Sequence, residues 1–101
     1  MLDAGRDSPL LRLSLGQACF DNQDWAEAES HLQAALAQQE NYSAAWQLLG
    51  KTQASAGKTA SALSTYATGI LQARQNGDTQ AEKVMMVLHK RLLKTSDSTR
   101  S

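Results

Sequence analysis

Apolar residues recur along most of this chain at the spacing of one helix face. Leu11, Leu15, Ala18 and Cys19 stand at i, i+4, i+7 and i+8 and predict a helix from Pro9 to about Asp21. Ser8 is placed to cap it, and Pro9 to take its first position. After the break at Asp21-Asn22-Gln23, a second stripe carries Trp25, Ala28, Leu32, Ala35 and Leu36, with Glu27, Glu29, Gln33 and Gln38 turned to water. Asp24-x-x-Glu27 reads as a capping box at its start. A third stripe, Trp46, Leu49 and Gln53, begins near Ser43 and is interrupted at Ala56-Gly57. The fourth, from about Lys58, presents Ala62, Leu63, Tyr66, Gly69, Ile70 and Ala73 and stops at Asn76-Gly77, where a left-handed residue is tolerated. A fifth helix is predicted from Thr79 to about Lys94. It groups Ala81, Val84, Met85, Leu88 and Leu92 on one side, has a capping box Thr79-x-x-Glu82, and places Lys90, Arg91 and Lys94 in its last turns.

Between Pro9 and Asn76 this pattern is written twice. Leu15-Gly16 returns as Leu49-Gly50, Ala28 as Ala62, Leu32 as Tyr66 and Ala35 as Gly69, an offset of 34 residues. Two helical stripes and a turn in each period point to a helical solenoid. The chain of 101 residues is one domain by size, with a single proline and few β-branched residues to argue for strands. The fold class is all-α. The expected division is a loose lead at 1–8, one helical domain at 9–94 with repeats 9–42 and 43–76 and a final helix at 78–94, and a frayed tail at 95–101.

Ala45-Trp46-Gln47-Leu48-Leu49-Gly50, with Ala62 and Tyr66 further on, resembles the tetratricopeptide repeat, and so do Leu15-Gly16, Ala28, Leu32 and Ala35. The likeness covers residues 9–76. It implies two antiparallel helical hairpins in a short right-handed α-solenoid, closed by a capping helix. Gly16 and Gly50, like Ala28 and Ala62, would sit where the helices of a hairpin cross closely, and Trp46 and Tyr66 would fill the space between hairpins. The chain departs from the family pattern in three ways. Arg12 stands where Trp46 supplies a large residue, Cys19 and Gln53 take the usual aromatic position, so that packing there should be thinner, and Glu40 and Arg74 replace the closing proline.

Candidate chemistry is sparse. Gly57-Lys58-Thr59 and Gly50-Lys51-Thr52 resemble the end of a phosphate-binding loop, but each lacks the required upstream glycine and neither follows a strand pattern. His31 and His89 are far apart in sequence, and Cys19 has no neighbour at metal-ligand spacing, so no metal site and no cofactor is expected. Cys19, the only cysteine, reads as a small apolar residue of the first stripe. No catalytic constellation stands out, and the expectation is a protein that is not an enzyme. The formal net charge is zero, with −5 over residues 1–42 and +5 over 43–101. Neutrality with scattered bases argues against nucleic acid. No apolar run is long enough for a membrane span, and with no signal-peptide core at the N-terminus a cytoplasmic location is the default.

The family resemblance implies that the first helix of each repeat lines a concave groove for an extended peptide or a partner helix. The matching positions are Leu10, Leu13, Gln17, Phe20 and Asp21, then Ala44, Gln47, Lys51, Ala54 and Ser55. Some members grip a C-terminal carboxylate with Lys, Asn and Arg; here Leu13, Gln17 and Leu48 occupy most of those places and Lys51 alone is a cation, which points to an apolar, amide-lined groove. Met86 and Leu93 fall about 130° round the last helix from its packing stripe, at ~100° per residue. They offer a surface for a homodimer or another protein. The leading expectation is therefore a non-catalytic module binding a protein or peptide through Leu10, Leu13, Gln17, Phe20, Gln47 and Lys51. The alternative is a self-associating scaffold subunit using Met86 and Leu93.

Overall fold

The computed structural model describes residues 7–100, with side chains described to Thr95. Among these residues five α-helices follow one another: α1 (Pro9–Asp21), α2 (Trp25–Gln38), α3 (Ser43–Ser55), α4 (Thr59–Asn76) and α5 (Thr79–Arg100). Each packs on the next, so α1–α2 and α3–α4 are antiparallel hairpins and α5 closes the stack on α4. In addition α1 touches α3 and α3 touches α5, whereas the described residues of α2 and α4 do not meet. The odd-numbered helices thus converge on one side of a slab measuring 49 × 31 × 17 Å.

Small residues let the helices of each hairpin cross closely. A Cβ added at Gly16 would stand 2.8 Å from Leu32 Cγ, and one at Gly50 would enter the ring of Tyr66. The partners Leu32 and Tyr66 are themselves repeat equivalents, as are the fully buried Ala28 and Ala62. Gly69 gives the same clearance between hairpin and final helix, since a Cβ there would meet Met85 Sδ at 2.6 Å and Trp46 Cβ at 2.8 Å. The core divides accordingly. One cluster joins Leu32, Leu48 and Leu49, with Leu13, Phe20 and Leu36 against it. The other joins Tyr66, Ala73 and Met85, with Trp46, Ile70, Ala81, Leu88 and Leu92 around it.

The helix ends differ from several expectations. Ser8 caps α1 as expected, its Oγ accepting from the Leu11 N–H at 3.1 Å. Asp7, placed in the loose lead, is held by Arg12 through two hydrogen bonds of 2.8 and 3.0 Å, and the preceding residues lie outside the described ones. Asp24 precedes α2 but makes no side-chain cap, so the first capping box does not form. At α5 the cap is Asp78, which accepts from the Ala81 N–H at 3.2 Å, and Glu82 pairs with Arg74 at 2.8 Å instead of reaching back to Thr79. α5 continues past Lys94 to Arg100. Lys90, Arg91 and Lys94 therefore lie mid-helix and not in its last turns. Ala18, counted in the first apolar stripe, is exposed, because α1 has neighbours only in α2 and α3.

The departures from the family pattern have structural substitutes. Trp46 donates its indole N–H to the Glu40 carbonyl at 2.7 Å, which holds the loop where the proline is missing. Asn41 and Asn76 exchange hydrogen bonds of 3.3 and 3.0 Å and tie the ends of the two repeats together. Gln53 does not thin the packing. It lies 5% exposed and bridges three helices, accepting from Thr65 Oγ1 at 2.5 Å and donating to Glu29 at 3.0 Å. Lys58 completes the group with a 3.0 Å ion pair to Glu29, which was expected to face water.

Candidate functional site

Where α1 and α3 converge they leave a groove of about 490 Å³ lined by Leu13, Ser14, Gln17, Ala44, Gln47, Leu48 and Lys51. Six of these seven are repeat equivalents: Leu13 with Gln47, Ser14 with Leu48, and Gln17 with Lys51. The hairpin repeat itself builds the groove, because one turn-and-a-bit of α1 faces the same stretch of α3. Leu13, Ala44 and Leu48 form an apolar floor, and Leu13 and Leu48 belong to the first core cluster. The rim is polar. Gln17 is held by its own helix, donating to Asp21 at 2.9 Å, which leaves its amide oxygen free to accept. Lys51 is exposed, and among the described residues no carboxylate pairs with it.

Of the residues singled out in the sequence, the groove brings together Leu13, Gln17, Gln47 and Lys51. Leu10 is 66% exposed beyond its edge, one turn before Leu13. Phe20 does not line it. The ring turns into the first core cluster and meets Trp25 edge-on, with centroids 5.3 Å apart at 67°. Met86 and Leu93 lie elsewhere, on the outer surface of α5, 48% and 43% exposed, with Val87 beside Met86 at 47%. A shallower hollow of about 230 Å³ is bounded by Ala54, Tyr66, Leu88, Arg91, Leu92 and Thr95. Tyr66 is itself 2% exposed, and burial pushes its phenol pKa up.

One cluster was missed. The first hairpin places Cys19 Sγ, a Glu27 carboxylate oxygen and a His31 ring nitrogen within 4.8 Å of one another, although Cys19 has no neighbour at metal-ligand spacing in the sequence. Burial, reinforced by Asp24 and Glu27, pushes the Cys19 thiol pKa up. Arg12, standing at the position of Trp46, donates to His31 Nδ1 at 3.1 Å while Asp7 holds its guanidinium, and the Arg12–Asp7 hydrogen bonding draws the Asp7 carboxyl below its ordinary range. A signal was present in the sequence: Glu27 and His31 are spaced i, i+4, and Cys19 and His31 are the repeat equivalents of Gln53 and Thr65.

Stacked helical hairpins with a groove along their converging helices define a helical-repeat protein of the solenoid class. A family model described as tetratricopeptide repeat matches residues 20–85. The chain belongs to the tetratricopeptide repeat family. It is 42% identical over 92 residues to a TPR repeat-containing protein of Pseudomonas aeruginosa, covering 91% of this chain and 88% of that protein. The solution structure of a Bordetella parapertussis protein superposes with a TM-score of 0.82 at 36% identity, over 90% of this chain and 79% of that one. A tetratricopeptide repeat domain protein from Salinibacter ruber shares the fold, with a TM-score of 0.79 at 22% identity over 85% of this chain and 87% of that one.

Proposed function

We propose that this chain binds an extended peptide segment of a partner protein in the groove between α1 and α3. Members of the family are generally non-catalytic protein–protein interaction modules, and the reading follows that class. The observation that carries it is the lining: an apolar floor of Leu13, Ala44 and Leu48 with the amides of Gln17 and Gln47 and the ammonium of Lys51 at its rim. Side-chain amides both donate and accept, and so match the alternating N–H and C=O groups of an extended backbone. The floor takes small or aliphatic side chains. Lys51 is the one cation of the lining and selects a single acidic group in the segment, without the several cations that a carboxylate-gripping groove uses.

The test is selection of random peptides against the protein, followed by amide chemical-shift mapping. Selected peptides should shift Leu13, Gln17, Gln47 and Lys51 together, and Lys51→Glu should weaken them about tenfold or more. Selected peptides that map to α5 and are indifferent to Lys51→Glu would overturn the reading.

A second reading rests on a different observation: Met86, Val87 and Leu93 are large apolar groups exposed on α5. Together with the −5/+5 division of charge along the sequence, they favour association of α5 with a second copy. Sedimentation across a wide concentration range decides it. A mass that rises with concentration, and returns to monomer in Met86→Glu or Leu93→Glu, supports self-association; a constant monomer removes it.

A further inference from the structure

We propose that Cys19, Glu27 and His31 form a binding site for a divalent transition metal of the zinc type, on the first hairpin and separate from the groove. A thiolate, an imidazole and a carboxylate are the ligand types that zinc and its cobalt surrogate take, with a fourth position left to water. Glu27 and His31 project from one face of α2, one turn apart, and Cys19 faces them from the last turns of α1. Their ligand atoms already lie within 4.8 Å of one another. Metal–ligand bonds of about 2.0–2.3 Å at tetrahedral angles bring such atoms to roughly 3.3–3.6 Å. Glu27 is exposed and free to close that difference by rotation.

The second hairpin gives independent support for this placement. At the equivalents of Cys19 and His31 it carries Gln53 and Thr65, which are directly hydrogen-bonded at 2.5 Å. The backbone of this hairpin type therefore sets these two positions at contact distance. In the second hairpin they hold an amide and a hydroxyl; in the first they hold a thiol and an imidazole.

Local charge favours a cation. Asp24 and Glu27 both act on the thiol. Their negative charge disfavours an isolated thiolate but attracts a dication, whose own charge then dominates the site. The opposing cation is Arg12, and Asp7 holds it through both carboxylate oxygens. A guanidinium only donates, so the 3.1 Å contact makes His31 Nδ1 the acceptor and puts the neutral ring's proton on Nε2, the nitrogen facing Glu27 at 3.8 Å. When the metal takes Nε2, the ring's proton moves to Nδ1 and the Arg12 contact opens. Arg12 stays on Asp7. Cys19 gives up its proton, so one proton leaves the protein for each metal bound.

The experiment is titration of the untagged full chain with cobalt(II), under a non-thiol reductant, followed by displacement with zinc(II). The expected result is a one-to-one complex with a thiolate-to-cobalt charge-transfer band in the near ultraviolet, lost on adding zinc, with release of one proton. Cys19→Ser should abolish the band. His31→Gln and the surface change Glu27→Gln should each weaken binding at least about tenfold. Arg12→Gln should bind zinc more tightly than the wild type, whereas a purely adventitious surface site would not respond to it. No charge-transfer band at excess cobalt in the wild-type protein, or a band unaltered in His31→Gln, overturns the proposal. Circular dichroism of each variant separates lost binding from lost fold, and the wild-type titration stands without any variant.

Discussion

Gln23 adopts a φ of 61°, the only positive φ outside glycine among the described residues. Its N–H bonds to the Phe20 carbonyl and the Asp24 N–H to the Cys19 carbonyl. Gly57 with Lys58, and Gly77 with Asp78, close α3 and α4 through the same pair of bonds. One turn geometry is thus used three times, twice with glycine and once with a residue whose Cβ makes it costly. Gln23→Gly should stabilise the protein by about 0.5–1 kcal/mol, read as a shift in the urea midpoint at unchanged slope. A lower midpoint would mean that the glutamine side chain compensates for its backbone. The Gly77 stop was legible because glycine signals such a turn, while Gln23 carries no such signal. The capping boxes failed for a related reason. The turn that closes α1 leads straight into Asp24, whose side chain makes no cap, and Glu27 lies toward His31.

At the scale of elements, the pairing of helices was legible from the 34-residue period, since Gly16 with Leu32 and Gly50 with Tyr66 are copies of one crossing. The length of α5 was not. Residues 95–100 are polar but contain neither glycine nor proline, and Thr95 returns its hydroxyl to the Arg91 carbonyl at 2.9 Å, so the helix continues. Least legible was Gln53, which by pattern should weaken the stack and instead joins α2, α3 and α4 through Glu29 and Thr65. The hydrogen bond from Gln53, with help from Lys58, draws the Glu29 pKa below its ordinary value. A carboxyl with a depressed folded pKa contributes stability that is fully present above its unfolded pKa and is lost as pH falls through the folded one. Chemical denaturation from about pH 5 downward should show this acid loss, with a shallower slope in Glu29→Gln. Equal slopes would sink the assignment. Gln53→Ala leaves the buried Thr65 hydroxyl without its partner and takes one hydrogen bond from Glu29, which keeps Lys58, and should cost about 1–3 kcal/mol at neutral pH.

For the whole molecule, the sequential contacts of the helices make stability a matter of neighbours. α2, α3 and α4 are packed from both sides, while among the described helices α1 and α5 stand at the two ends of the stack. Native-state hydrogen exchange should therefore find the slowest amides in α2, α3 and α4 and faster exchange in α1 and the far end of α5. A single opening free energy for all five helices would show instead that the domain unfolds as one unit. Most of the groove was readable at this scale because its walls are repeat equivalents. Phe20 was misplaced because a half-buried aromatic near a groove and one in the core occupy the same sequence register, and Trp25 decides between them. The Cys19 cluster needed the hairpin, since its ligands come from two helices.

The two walls of the groove meet only lightly, yet both are seated on α2, which packs against α1 on one side and α3 on the other. The gauge of the groove is therefore set from behind it, by Leu32 and Leu36 against Leu48 and Leu49. A volume change at Leu36 would widen or narrow the opening without altering a single lining side chain. The family can in this way reshape such a groove by substitutions that no comparison of lining residues would reveal.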